Sequence, residues 1–349
     1  MGNQTTDINF DDKKKEYKSL FFYQDKIENI KILNTNIRPI NNKELFEKYV
    51  IKVKNEPSTY MTKNLERDSS RSFFEYLKYN FFFVILKYFY YKLFQIRSDS
   101  IFLKFDNFLR KENLPELATK SDILIDNYKK RKNFLRGKKF YKNNCQNFEN
   151  FKDKNYVIFF GGKIPERSNN PDSGLYFNEE MTINLILSKI PENFLLVYRE
   201  HPSCFNNTTF VSDKDINFYS RLKNISDKII FTSPNENRIE LIKSAKAVCN
   251  LSGTAAWESA LLNIPSFNFG GNWFNETSEI LRIKNEKDLD FFFNKKIKSN
   301  VNLKKIEDFF YKTLKNTYTF SLREINSKTK NYNEIIDQHC DLIVKQLES

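Results

Sequence analysis

Through the second half of the chain, short apolar runs alternate with amphipathic stretches. Tyr156–Phe160 (YVIFF), Phe194–Tyr198 (FLLVY), Lys228–Thr232 (KIIFT), Ala247–Leu251 (AVCNL) and Ser266–Phe269 (SFNF) are brief and lack a period-two polar face. That is the form of strands buried on both sides of a parallel sheet. Between them, Asn178–Ile190 has helical spacing. Ser233-Pro234-Asn235-Glu236 reads as a helix start, with Ser as N-cap and Pro at the first position. Gly253 and Thr254 start another helix, which ends near Asn263, before Ile264-Pro265. Strand–helix alternation with short connections predicts a Rossmann-like α/β domain over residues 151–300. Helices at Leu303–Leu314 and Tyr332–Leu347 are expected to pack back on it within 301–349.

Residues 1–150 read differently. They are rich in helix signals, with weak strand signals at Ile30–Ile37 and Tyr49–Val53, and the polar stretch Asn143–Lys154 looks like a linker. This region is expected to form a separate, membrane-proximal, acceptor-side domain. Its most apolar part, Ser72–Ile96, opens on a Ser72/Glu75 capping box. The uninterrupted run Phe81–Leu86 is too short to cross a bilayer, which takes about 20 residues. Glu75, Lys78, Asn80, Lys87 and Lys92 scatter around its wheel, so a helix buried between elements is expected.

Composition adds a charge asymmetry. Lys and Arg number 57 against 44 acidic residues, a net charge of +13. Eight basic residues and no acidic one lie between Lys129 and Lys142. That run reads either as a solvated helix end and linker or as a surface for anionic lipid or an acidic polymer, and with the apolar stretch upstream it makes 72–142 the expected contact with an anionic membrane. No RNP, zinc-finger or basic-zipper pattern accompanies it, so nucleic acid is not the expected partner. The four cysteines lie far apart and only His201 and His339 are histidines, so neither a metal nor a disulfide framework is expected.

Ligands of open α/β sheets bind beyond the carboxyl ends of the strands. That rule selects Gly161–Gly174, Arg199–Pro202, Ser252–Thr254 and Gly270–Trp273. Small residues at Ser252, Gly253 and Thr254 admit a ligand backbone-close, and the helix start behind them favours an anion. Glu258 follows one turn later and could accept hydrogen bonds from ribose hydroxyls. Strand alternation would point Arg199 and His201 the same way, as a phosphate pair, with Pro202 fixing the turn. Glu166 and Asp172, among turn formers of the first loop, are the candidates for acid or base work, with Arg167 beside them.

Three segments, IPERSNNPDSGLYFNEE, VYREHPS and ELIKSAKAVCNLSGTAAWESALLNIPSFNFGGNWF, in that order resemble the capsule polysaccharide biosynthesis family. The resemblance spans roughly Tyr156 to Phe274. It implies a GT-B-like α/β enzyme with the donor held mainly by the C-terminal Rossmann-like domain. It also implies a glycosyltransferase, expected to be cytoplasmic, that moves a sugar from a nucleotide donor to a surface-polysaccharide or lipid-linked glycan acceptor; the basic and aromatic surface near 72–142 would hold it at the inner membrane face or at an acidic acceptor. CMP-Kdo is among the donors the family uses. By resemblance, His201 and Pro202 fall in the nucleotide-phosphate motif, Ser252, Gly253 and Thr254 in the donor loop, and Glu258 behind it. No resident cofactor is implied. The first 150 residues are short for a GT-B acceptor half, which leaves open a non-catalytic glycan- or nucleotide-binding assembly protein.

Overall fold

The computed structural model describes residues 2–11, 16–26, 29–32, 44–55, 81–93, 120–162, 173–206, 214–314 and 317–318. Strands β1 (Gly2–Asp11), β2 (Glu16–Lys26) and β3 (Asn29–Ile32) pair antiparallel. The late strand β11 (Thr317–Tyr318) adds to β2. Helices α1 (Glu44–Asn55), α2 (Phe81–Leu93) and α3 (Lys120–Asn143) follow. The expected strand at Tyr49–Val53 is therefore helix. Its residues Phe46, Tyr49, Val50 and Val53 recur at helical spacing and pack on one apolar cluster, and this tertiary contact overrides the β propensity of YVIKV. Of the strand expected at Ile30–Ile37, the first part falls in β3.

The main body is a seven-stranded parallel sheet. Its strands are β4 (Cys145–Gln146), β5 (Tyr156–Phe160), β6 (Leu195–Arg199), β7 (Ile229–Thr232), β8 (Ala247–Asn250), β9 (Ser266–Asn268) and β10 (Ile280–Arg282). They are ordered β10-β9-β8-β5-β6-β7-β4. This is the doubly wound Rossmann order with one extra edge strand. The Rossmann-like α/β fold read from the sequence is thus what the chain adopts. Asn143–Lys154 is no free linker: β4 pairs with β7, and Phe151 is buried against Tyr156.

Both faces of the strands are covered, which explains their continuous apolarity. Val157, Phe159, Leu196, Tyr198, Ile229, Phe231, Ala247 and Cys249 face one core. It is shared with α3, α4 (Glu179–Lys189), α6 (Ile216–Ile225) and α9 (Glu286–Asn294). The alternate residues Tyr156, Ile158, Val197, Ile230 and Val248 face α7 (Arg238–Ser244) and the start of α8 (Ala255–Leu261). Between β6 and α6 runs the short helix α5 (Pro202–Asn206). Helix α7 starts later than the sequence suggested. Asn237 caps it, accepting from the N–H groups of Ile239 and Glu240, while Ser233 only closes the preceding turn. Asn263 ends α8 in the left-handed region (φ 62°), a conformation asparagine tolerates.

Helix α3 belongs to this body, although it lies upstream of residue 151. Its Phe134 and Tyr141 are buried in the larger core. Tyr141 stacks on Phe231 with ring centres 4.9 Å apart. Helix α10 (Leu303–Leu314), found where the sequence put it, packs Phe309 against Trp257 and Trp273 of the α8 side. Tyr49 of α1 stacks on Phe310, and its hydroxyl accepts from Trp257 Nε1. The helix expected at Tyr332–Leu347 lies outside the described residues, as do His339 and the Ser72/Glu75 capping box.

The helix Ser72–Ile96, expected to be buried between elements, is seen over Phe81–Leu93 and is buried on one side only. Val84 is inside, while Phe83, Leu86, Phe89 and Leu93 are exposed.

Helix α3 meets the start of α6 at Gly137. A β-carbon there would lie 2.6 Å from the Asp215 carbonyl carbon and 2.7 Å from Ile216 N, both backbone atoms. In an exposed helix, Gly→Ala would stabilise by about 1 kcal/mol. Here the clash dominates, so Gly137→Ala is expected to lower stability in urea unfolding by about 1–3 kcal/mol.

Candidate functional site

Strand β5 lies at the centre and pairs with β6 on one side and β8 on the other. The order reverses between β5 and β8, so the loops after them flank the topological switch point. Phe160 is in register with both Arg199 and Asn250, and Arg199 with Thr232. These last residues form one row on the face covered by α7 and α8. The Arg199 guanidinium lies over the Phe160 ring, 5.5 Å from its centre.

The row is polar where the rest of that face is apolar. Arg199 Nη2 donates to the Pro234 carbonyl at 2.6 Å, which turns the side chain towards the β7–α7 connection. Its Nε, the Thr232 hydroxyl and both amide atoms of Asn250 are buried and have no hydrogen-bond partner among the described residues. Asn250 is only 2% exposed. Burial, with Arg238 nearby, pulls the Arg199 guanidinium down to about 10. Above the row, Arg238 of α7 sits 2.6 Å from Glu258 Oε2 of α8, an ion pair without hydrogen-bond alignment. The Thr254 hydroxyl donates to Glu258 Oε1 at 3.2 Å. Glu258 is therefore neither solvated nor idle, and Thr254 does not cap α8 through its side chain.

Loop Ser252–Thr254 is held from behind. Asn272 Nδ2 donates to the Ser252 carbonyl at 2.7 Å, and Gly270 N–H donates to the Leu251 carbonyl. Gly270–Trp273 is buried, and through Asn272 and Gly270 it braces the loop. Gly253 is exposed and lies close over Asn250: a β-carbon would come within 2.9 Å of Asn250 Nδ2.

The second loop divides in direction. Arg199 faces α7 and α8, while the next residue, Glu200, is fully buried on the opposite side. The strand ends at Arg199, so period-two alternation does not carry on to His201. His201 N–H donates to Glu200 Oε1, and its carbonyl accepts from Cys204 N–H as Pro202 begins α5.

Glu200 belongs to a buried ionic cluster that no sequence motif announced. Lys214 Nζ lies 2.8 Å from Glu179 Oε2 and 2.9 Å from Glu200 Oε1, and it donates to the Gly162 carbonyl at 2.7 Å. The Tyr198 hydroxyl donates to Glu179 Oε2, and Tyr219 donates to Glu200 Oε2. Gly162 N–H donates to Glu179 Oε1 at 2.7 Å. Gly161 must be glycine: a β-carbon would meet the Tyr198 hydroxyl at 2.6 Å and Glu200 Oε1 at 3.1 Å. Burial, followed by Lys214, sets the Glu179 pKa, with a net rise. Burial alone would lower the Lys214 ammonium, but the two carboxylates outweigh it and raise it. The cluster thus pins the Gly161-Gly162 turn, from which the first predicted loop departs. Glu166, Arg167 and Asp172 of that loop lie outside the described residues. Asn250, Arg238, Glu179 and Lys214 are the residues sequence reasoning missed. The one available signal was a terminal asparagine in an otherwise apolar strand.

Comparison with known proteins finds no matching family model and no curated relative. Solved structures with a similar arrangement include the UDP-GlcNAc 2-epimerase of Methanocaldococcus jannaschii (16% identity, 48% of this chain and 44% of that one, TM-score 0.32). KpsC, a beta Kdo 2,7 transferase of Thermosulfurimonas dismutans, shares 13% identity over 55% of each chain, with TM-score 0.33. S. aureus MnaA, solved with UDP, shares 13% identity over 53% of this chain and 46% of that one, with TM-score 0.31. The chain spans about half the length of each. The α/β assignment rests on strand order and register.

Removing Lys214 would leave two buried carboxylates unpaired. Lys214→Met is expected to destabilise the fold by about 3–5 kcal/mol at neutral pH. Glu179, already raised by burial, would lose the ammonium that holds it down and would titrate still higher in the folded state. Stability of the variant should then recover as pH falls towards 4.5, because the folded state binds the extra proton. Thermal melts across pH 4.5–8 measure it, and a variant melting like the parent at neutral pH would contradict this account.

Proposed function

We propose that the chain is a nucleotide-sugar-dependent glycosyltransferase of surface-polysaccharide synthesis, with the donor bound at the carboxyl edge of the parallel sheet. The observation that carries this reading is the buried Asn250 amide. It sits at the switch point, beneath Gly253 and in one row with Arg199, and has no partner among the described residues. Buried polar groups are nearly always satisfied, so such a group points to a ligand or water that completes it. Arg199, Arg238 and Glu258 leave one net positive charge beside it, suited to a sugar nucleotide's phosphate. In this reading Ser252, Gly253 and Thr254 line the entry and His201 adds a donor from the second loop. Glu258 turns from Arg238 to ribose hydroxyls when the phosphate takes the arginine. Preorganised cations at the leaving phosphate would supply the main electrostatic catalysis without a metal. Glu166 or Asp172 would handle the acceptor proton. The sequence resemblance to capsule enzymes supports the acceptor class, a surface or lipid-linked glycan, and admits CMP-Kdo as donor.

A second reading, a non-catalytic binding protein of the same pathway class, is favoured by one observation. Among the described residues there is no second parallel sheet to form an acceptor half. Donor-dependent sugar transfer or donor hydrolysis separates the two, since the second reading expects binding without turnover.

A thermal-shift panel of CMP, UDP, GDP and their sugars should single out one nucleotide. Arg238→Ala should weaken that nucleotide by about 10–100-fold in calorimetry, the cost of one charged hydrogen bond. Asn250→Leu should keep or raise the melting temperature of the ligand-free protein while abolishing the nucleotide shift. A variant that melts lower yet binds normally would sink the proposed site.

A further inference from the structure

We propose that the outer face of α2, with the basic outer stripe of α3, docks the protein on an anionic lipid bilayer. The inference is independent of the chemistry assigned to the sheet edge. At 100° per residue, Leu86, Phe89 and Leu93 fall within about 60° of one another on the helix wheel. Leu86 is 67% exposed, Phe89 63% and Leu93 78%. Val84, on the far side of the helix, is buried. Among the described residues, the stripe therefore faces away from the body. Monomeric soluble proteins rarely expose contiguous apolar patches of large residues without use. Lys87 and Lys92 flank the stripe, one on each side, where long stems can lift their charges towards headgroups.

Helix α3 packs against α2. Its Lys129, Lys132, Arg136 and Lys139 fall within about 80° on the wheel and are all exposed. Phe134, Gly137 and Tyr141 occupy the opposite, buried side. The apolar stripe and the row of cations thus lie on two helices that pack against each other. Stable peripheral anchoring takes two such signals, an inserted apolar surface and an electrostatic one. No described helix is long and apolar enough to cross a membrane, so the contact lies in the interface plane.

The test is co-sedimentation of the full chain with two kinds of vesicle, phosphatidylcholine alone and phosphatidylcholine mixed with phosphatidylglycerol. Binding is expected to the mixed vesicles only and should weaken with salt. Two independent variants are compared by circular dichroism and melting before use. Leu86→Ser with Phe89→Ser removes the stripe. Lys129→Ala, Lys132→Ala, Arg136→Ala and Lys139→Ala together remove the charge. Each is expected to melt like the parent, because the altered side chains are exposed, and to lose vesicle affinity at least about tenfold. Several outcomes would overturn the proposal. One is an absence of vesicle binding by the parent, and another is unchanged binding by both variants. A third is vesicle binding replaced by salt-sensitive binding to a single-stranded oligonucleotide. The last is a change of oligomeric state in the serine variant without loss of vesicle binding, which would make a second copy the occupant.

Discussion

Strand β5 is hydrogen-bonded in parallel on both sides, and the chemistry of the molecule takes its position from that pairing. Because Phe160 stands in register with Arg199 and Asn250 at once, three strands end together, and their last side chains form a single row. A parallel strand buried on both faces can carry polar groups only at its tip, where the chain leaves the core. The apolar interior forces the polar groups to one edge, and the reversal of strand order at β5 is where ligands of open α/β sheets bind.

Two polar assemblies occupy that edge on opposite faces, and they do different work. On the α3–α6 face, Lys214 with Glu179 and Glu200 is saturated by short contacts and by tyrosine hydroxyls. Such a cluster contributes geometry rather than binding, since nothing in it is left to offer. On the α7–α8 face, Asn250, Thr232 and the Arg199 Nε keep hydrogen-bonding capacity in reserve. The contrast separates a satisfied cluster, which holds the turn, from the unsatisfied row proposed to bind the donor.

Much of the α/β body was legible because its strands obey a simple rule: short, apolar throughout and spaced by helices. YVIFF, FLLVY, KIIFT and AVCNL are strands within a residue of their apolar limits. The small-residue loop at Ser252–Thr254 was legible for the same local reason. What stayed hidden depends on partners distant in sequence. Lys214 meets Glu179 across 35 positions and Arg238 meets Glu258 across 20, distances at which spacing carries no signal. YVIKV of α1 looked like a strand because its β propensity is real, and only the aromatic wall of α10 makes it helical. The α2 helix misled for a related reason: its scattered charges concealed which flank had a neighbour.

Tyr141 ties the far end of α3 to the sheet edge. Its hydroxyl lies 3.1 Å from the Tyr198 carbonyl and 2.8 Å from that of Thr232, and it accepts from Glu200 N–H at 2.9 Å. The ring is clamped at the same time by Phe231 and Tyr219. Helix α3 cannot roll or slide without breaking contacts to two adjacent strand tips. Its solvent-facing side and the end of β6 are mechanically one piece, so a force applied to the outside of this helix reaches the residue next to Arg199 with no hinge in between.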